Sequence, residues 1–211
     1  DGNQGGKRRK MKLSEELRIS MVVFIVVVLV ASTVMYVGFT PRERFFQIYV
    51  LGEDGKAERY YPNDDPNVKV GTPVRWFIGV QNSMGRAEYV SIRVKLGNET
   101  TLAPSSENCT AANLPTLVEY HKALTDGETW LFTFNWAISE ISQEGETTYI
   151  TLDVNGDPIA SKIDVREGLS NRLIFELWSY NEASNDFEFG WTDIGEKRCA
   201  WVQMWFNIAK T

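Results

Sequence analysis

The chain has 211 residues, a formal charge of −6 and a single histidine. Of its 22 basic and 28 acidic groups, six and three lie in the first 40 residues, leaving 16 against 25 beyond them. That acidic remainder lacks the basic footprint of sequence-independent nucleic-acid binding, so nucleic acid is excluded as a partner.

Lys7, Arg8, Arg9, Lys10, Lys12 and Arg18 precede an uncharged run from Ile19 to Phe39. These 21 residues rise about 31 Å as a helix, which matches the ~30 Å hydrocarbon core of a bilayer. A lone segment in lipid must satisfy its own backbone, so the β-branched content of Val22, Val23 and Ile25 to Val28 does not prevent a helix. Ser14 is the expected N-cap, with Glu15 and Glu16 at the positive end of the helix dipole, and Gly38 and Pro41 are the stop signals. Tyr36, Phe39, Phe45 and Phe46 suit an interfacial aromatic belt. The basic excess before the span places the N-terminus in the cytoplasm and the rest outside. The expected organisation is a disordered basic cytoplasmic tail over 1–13, a transmembrane helix over 14–40 and an extracytoplasmic domain over 42–211. The opening Asp1 points to a trimmed N-terminus. A cleaved signal peptide would have a shorter apolar core and a small-residue cleavage site, and a buried core helix would carry polar residues at helical spacing. A pilin or archaellum-type filament subunit also sets an apolar helix before a β domain. Here the stretch from Leu13 to Ser20 separates the basic arm from Met21.

Beyond the span, short strands alternate with turn chemistry. Phe45 to Leu51 reads as a strand, Glu53-Asp54-Gly55 as a hairpin turn and Lys56 to Tyr61 as the returning strand. Pro62 to Asn67 is an acidic loop. Val74, Trp76, Ile78 and Val80 alternate with polar or small residues, as do Val90, Ile92, Val94 and Leu96, which predicts strands with one buried face. Thr101 to Pro115 reads as a long polar loop. Thr125 to Glu128 is a hairpin signal between strands Thr116 to Leu124 and Thr129 to Trp136, with Ala137 to Gln143 ambiguous between helix and strand. Asn155-Gly156 is the strongest hairpin signal, between Thr147 to Val154 and Ile159 to Val165. Arg172 to Tyr180 and Arg198 to Ile208 complete the set. The fold class is therefore mainly β: an N-terminal transmembrane helix followed by an antiparallel immunoglobulin-like β-sandwich, with a jelly roll or partly closed barrel as the alternative.

The stretch Phe45 to Pro62 resembles a mainly archaeal, membrane-associated family catalogued as domain of unknown function 1616, with its Leu51-Gly52, Gly55-Lys56-Ala57 and Tyr61-Pro62 steps. The likeness continues through Val70-Gly71, Gly79-Val80-Gln81-Asn82 with Gly85-Arg86 and Tyr89, and Leu124 to Trp130, and weakly at Leu173 to Leu177. The family pattern has a His-Glu pair where this chain carries Ser83-Met84, and this chain is longer around Thr101 to Pro115 and Asn155 to Gly168. The resemblance implies a tethered, extracytoplasmic β-sandwich and no activity. Its glycines and Tyr-Pro step read as turn geometry.

Few residues suggest chemistry. Cys109 and Cys199, outside the cell in this topology, are expected to form a disulfide, the alternative being two buried thiols. Asn98 and Asn108 head glycosylation sequons. His121 stands alone and provides neither a metal cluster nor a triad. The run from Asp153 to Asp157 resembles the start of a calcium loop, but Pro158 stands where glycine is needed; Asp64 and Asp65 are the other cation candidates. Trp178, Trp191, Trp201 and Trp205 crowd the last third. Core burial is the ordinary reading of such residues. The alternative is an exposed contact strip built from Trp191, Trp201 and Trp205. With no Walker loop, Rossmann glycines, CxxC or G-x-S-x-G, no cofactor and no enzymatic activity are expected. The expected role is a single-pass envelope protein. Its partners are the bilayer and an envelope or membrane protein, or a further copy of itself. A carbohydrate- or calcium-binding ectodomain is the remaining alternative.

Overall fold

The computed structural model describes residues 15–39, 43–161, 163–165, 168–193 and 195–209. Two compact units divide at Arg42 and Glu43. In the first, helix α1 runs Glu15–Phe39, with Glu15 and Glu16 in its first turn. Its large apolar side chains from Leu17 to Tyr36 are about half exposed or more, so this is no core helix. It is the one helix among the described residues long and apolar enough to cross a membrane, a property that anchors and signal sequences share. The basic residues before position 15, Ser14 and Pro41 lie outside the described residues.

The second unit is a two-sheet sandwich of the immunoglobulin-like kind, antiparallel except where the two-residue strand Asn67–Val68 pairs parallel with the strand Ala200–Ile208. One sheet has the order β1 (Phe45–Leu51), β3 (Val74–Ser83), β6 (Thr129–Glu144), β7 (Thr147–Val154) and β8 (Asp157–Ala160). The other has the order β2 (Asn67–Val68), β13 (Ala200–Ile208), β9 (Asn171–Asn181), β4 (Glu88–Asn98) and β5 (Thr116–Leu124), with β10 (Asp186–Phe189) also pairing with β9. A small ladder joins β11 (Trp191–Asp193) to β12 (Glu196–Arg198). The expected alternation holds. Val74, Trp76, Ile78 and Val80 are at most 1 % exposed, as are Val90, Ile92, Val94 and Leu96. Trp76 packs on Trp136 of the neighbouring strand at 5.2 Å, and across the sheets Phe134 packs on Phe175 at 5.1 Å and Trp136 on Phe206 at 4.9 Å. Full burial of such a side chain is worth roughly 1.5–3 kcal/mol, so this aromatic layer is the main glue between the sheets.

Three local expectations are corrected and one that stood open is resolved. First, Lys56 to Tyr61 is not a returning strand. The chain turns tightly (Gly55 N–H to Gly52 C=O, 2.9 Å), the Tyr60 carbonyl accepts the Trp76 indole N–H at 2.5 Å, and Tyr61 packs edge-on against Trp76. Plugging the end of the core draws this segment away from β1. Second, Thr125 to Glu128 is not a hairpin, because β5 and β6 belong to different sheets. The turn is an arch between layers. It stacks on the β3-to-β4 arch around Asn82, which is fully buried. The Asn82 amide donates to the carbonyls of Arg86, Leu124 and Thr125 at 2.9, 2.9 and 3.2 Å, and its backbone carbonyl accepts from Gly127 at 2.7 Å. Third, Ala137 to Gln143 is strand, continuing β6 through an irregularity between Ile138 and Glu140. Fourth, the strand expected over Ile159 to Val165 is only Asp157–Ala160; the Ser161 and Val165 N–H groups then donate back to the carbonyls of Ile150 and Thr148, and the Ser161 hydroxyl accepts the Ile150 N–H at 3.0 Å. The Asn155-Gly156 hairpin forms as expected. Both residues have positive φ, 54° and 97°, as a two-residue primed turn requires.

Candidate contact surface

An open seam runs along one side of the sandwich. β1 pairs residue for residue with β3, from Phe45 with Ser83 to Leu51 with Phe77. Among the described residues nothing pairs with its other edge. Across the seam β13 pairs with β9, and on its far side β2 reaches only Asn207 and Ile208. A groove of about 580 Å³ lies between the two edges, lined by Gln47, Ile48 and Tyr49 of β1 and by Cys199, Ala200 and Trp201 at the start of β13. Tyr49 lies flat over Gly79, where a Cβ would sit 2.1 Å from its ring. Trp191 and Phe46 meet edge to face at 5.2 Å, and the Trp191 indole donates to the Arg44 carbonyl at 3.4 Å.

The outer face of the second sheet carries a strap, the long polar loop expected over Thr101 to Pro115. It is tied down by charge. Lys95 and Glu176 form a 2.8 Å ion pair with side chains 6 % and 0 % exposed. Lys95 also donates to the Ala112 carbonyl at 2.6 Å, while Glu176 accepts the Ala112 N–H at 2.7 Å and the Trp178 indole at 3.0 Å. Every charge on this buried pair therefore has a hydrogen-bond partner, the condition under which a buried ion pair is tolerated. Further along, Arg172 donates to the Thr101 carbonyl and lies 4.7 Å from the Trp205 ring, and Ser106 accepts the Trp201 indole at 3.1 Å. Arg93 stacks 3.9 Å over Trp178 and pairs with Glu119 at 2.9 Å. Burial raises the Glu119 carboxyl, but hydrogen bonds from Ser91 and Arg93 outweigh it and hold the group below its ordinary range.

The tryptophans divide between the core and the surface. Core tryptophans are Trp76 and Trp136. Trp201 and Trp205 lie on the outer face of β13, with Trp205 40 % exposed, while Val202, Met204 and Phe206 face the core. Trp191 sits apart, packed against the core beside Phe46, so the three do not make one strip.

Cys109 and Cys199 are brought together as free thiols. Each lies 3.6 Å from a carbonyl of the other's segment, Cys109 from that of Lys197 and Cys199 from that of Ser105. Burial, and then the contact with Cys109, push the Cys199 thiol up to about 12. Asn98 is 4 % exposed; its amide donates to the Asp164 carbonyl at 2.8 Å and its Oδ1 accepts from Thr100 and Thr101. A glycan on that nitrogen would have to displace this network. Asn108 is exposed on the strap. His121 lies on edge strand β5, stacked on Tyr89 at 5.9 Å. Asp153 accepts the Gly156 N–H at 2.8 Å, and Asn155 Oδ1 accepts the Asn135 N–H at 3.0 Å, so these oxygens serve the hairpin. Asp65 is similarly used by Asn67, which lowers its carboxyl. Among the described residues no His/Cys/Asp/Glu group is arranged to hold a metal.

One cluster escaped sequence reasoning. Tyr89, His121, Tyr180 and Phe187 come from β4, β5, β9 and β10, with neighbouring rings 5.1 to 6.1 Å apart on the outer face. Only strand order and register join them, and no local motif could have signalled it.

No family model and no curated protein matches the chain. Among solved structures, it is similar to the CARDB domain of a Pyrococcus furiosus protein crystallised with di-metal ions, at TM-score 0.36 and 10 % identity, covering 81 % of this chain and 97 % of that one. It is similar to Spo0M, a sporulation control protein from Bacillus subtilis, at TM-score 0.35 and 8 % identity over 79 % of this chain and 50 % of the other. A Listeria innocua beta-glucosidase in complex with gluconolactone matches at TM-score 0.35 and 12 % identity, over 82 % of this chain and 17 % of that one. Likenesses this distant carry no functional argument.

Proposed function

We propose that this is a single-pass, non-enzymatic cell-envelope protein, anchored by α1 with its N-terminus in the cytoplasm, whose sandwich makes protein–protein contact through the β1 seam. Membership of the family catalogued as domain of unknown function 1616, suggested by the residues quoted above, is part of this reading. The observation that carries it is the unpaired edge of β1 beside an open groove. An unpaired edge offers a row of backbone donors and acceptors to an incoming strand, and side-chain pockets beside it provide selectivity. The test is site-specific photo-crosslinking from Gln47, exposed on β1, in native membranes. A discrete crosslinked protein band supports the reading. A chain that stays uncrosslinked in every fraction overturns it.

The exposed rings of Tyr89 and His121 favour a second reading, a glycan-binding ectodomain, since aromatic faces stack on sugar rings. Flat responses of residues 43–211 on a glycan array would remove it.

A further inference from the structure

We propose that, of the two Asn-x-Thr triplets in the chain, only the one headed by Asn108 is modified: Asn108 carries an N-linked glycan and Asn98 stays bare. The modification presupposes the extracytoplasmic placement of the sandwich proposed above.

An asparagine of this kind is modified through its side-chain amide. Nδ2 forms a bond to the anomeric carbon of a lipid-linked oligosaccharide. The bond from that carbon to the lipid phosphate breaks, the phosphate leaves with the electron pair, and Nδ2 gives up one proton to a base. The transferase reads the amide together with the hydroxyl two residues on, so both must be within its reach. The finished glycan is bulky and hydrated, and only a surface position accommodates it in the native state.

Asn98 meets neither requirement. It ends β4 and is 4 % exposed. Its Nδ2 donates to the Asp164 carbonyl at 2.8 Å. Its Oδ1 accepts the Thr100 N–H at 2.9 Å, the Thr100 hydroxyl at 2.8 Å and the Thr101 N–H at 3.1 Å. The amide that would take the sugar and the hydroxyl that would be read are therefore both consumed by one internal network. A sugar on Nδ2 would have to part β4 from the segment at Asp164.

Asn108 meets both. The strap closes on itself at Ser105 and Thr110, whose backbones exchange hydrogen bonds of 2.9 and 3.2 Å. The turn between them is pinned to the sandwich from below. Ser106 accepts the Trp201 indole at 3.1 Å, and Cys109, 3 % exposed, sets its sulfur 3.6 Å from the Lys197 carbonyl. The middle residue of the triplet is thus anchored while its two neighbours project. Asn108 and Thr110 are exposed, and among the described residues neither side chain makes a hydrogen bond.

The test is peptide mapping by mass spectrometry of the protein purified from its native membranes, with thermal unfolding of each variant as the check on folding. The Asn108 peptide is expected to carry a carbohydrate mass increment and the Asn98 peptide none. N108Q loses the increment completely and unfolds at the wild-type temperature. T110A loses it equally, and T110S, which keeps the hydroxyl, retains it. A glycan on Asn98 of the folded protein, or an increment on Asn108 that survives T110A, overturns the proposal. So does a protein bare at both positions while protease added to whole cells removes the domain; that result leaves the outward placement standing. A bare protein whose domain is protected from protease overturns both.

Discussion

Cys109 and Cys199 sit 90 positions apart in sequence, yet the fold sets each sulfur 3.6 Å from a carbonyl of the other's segment, at the junction of the strap and β13. Their pairing was legible as an expectation from their number and the assumed compartment, but their proximity was not, because it needs the strap folded back over β9 and β13. As a thiol Cys199 is a poor nucleophile, since its raised value leaves almost no thiolate near neutral pH. We predict that incubation with glutathione disulfide links the two, detected by peptide mapping as one 109–199 crosslink. Closing a loop of that length should stabilise the fold by roughly 4–5 kcal/mol in urea unfolding. Persistent mixed disulfides with glutathione, and no internal crosslink, would show that the geometry does not permit the bond. Asn98 gives the opposite lesson. Its triplet reads as a surface sequon, but burial turns it into a structural bracket between β4 and the segment at Asp164. A triplet is local, and burial is not.

At the scale of elements, the strap and the arches were the hardest features to anticipate. Thr101 to Pro115 is polar and turn-rich, which argues for a free loop. The structure instead anchors it on a charge pair that sequence alone would have placed at the surface, because Lys95 and Glu176 each fall at the polar step of an alternating strand. Both steps point outward, as the alternation requires, and the strap then buries them. Replacing only Lys95 by Met would leave Glu176 charged, buried and unpaired, at a cost of about 3–5 kcal/mol. Replacing both by Met is expected to cost well under the sum of the single changes. A double-mutant cycle by chemical denaturation checks this, and additive single effects would mean that the two do not act as a pair. The two arches show a related limit. Turn chemistry at Thr125-Asp126-Gly127-Glu128 correctly marked a reversal, but a turn motif does not state which sheet receives the outgoing strand. Asn82, holding both arches, decides that here.

For the molecule as a whole, the apolar helix and the acidic sandwich are two compact units, and membrane attachment joins them in the proposed function. We predict that alkaline carbonate leaves the intact chain in the membrane pellet, and that protease added to whole cells removes the domain after Glu43. Release by carbonate would indicate a peripheral or cleaved form, and protection of the domain would reverse the orientation. The sequence alone determined what depends on near neighbours along the chain: the uncharged span, strand periodicity, the Asn155-Gly156 turn and therefore the mainly β class. Those features follow from backbone hydrogen bonding in lipid and from the two-residue repeat of a pleated strand. Only the tertiary structure decided which strands became edges, which polar side chains were buried, and that the Tyr60-Tyr61 segment would close the core instead of covering β1. Those outcomes depend on competition between distant segments for the same apolar surface, and no local pattern encodes the winner.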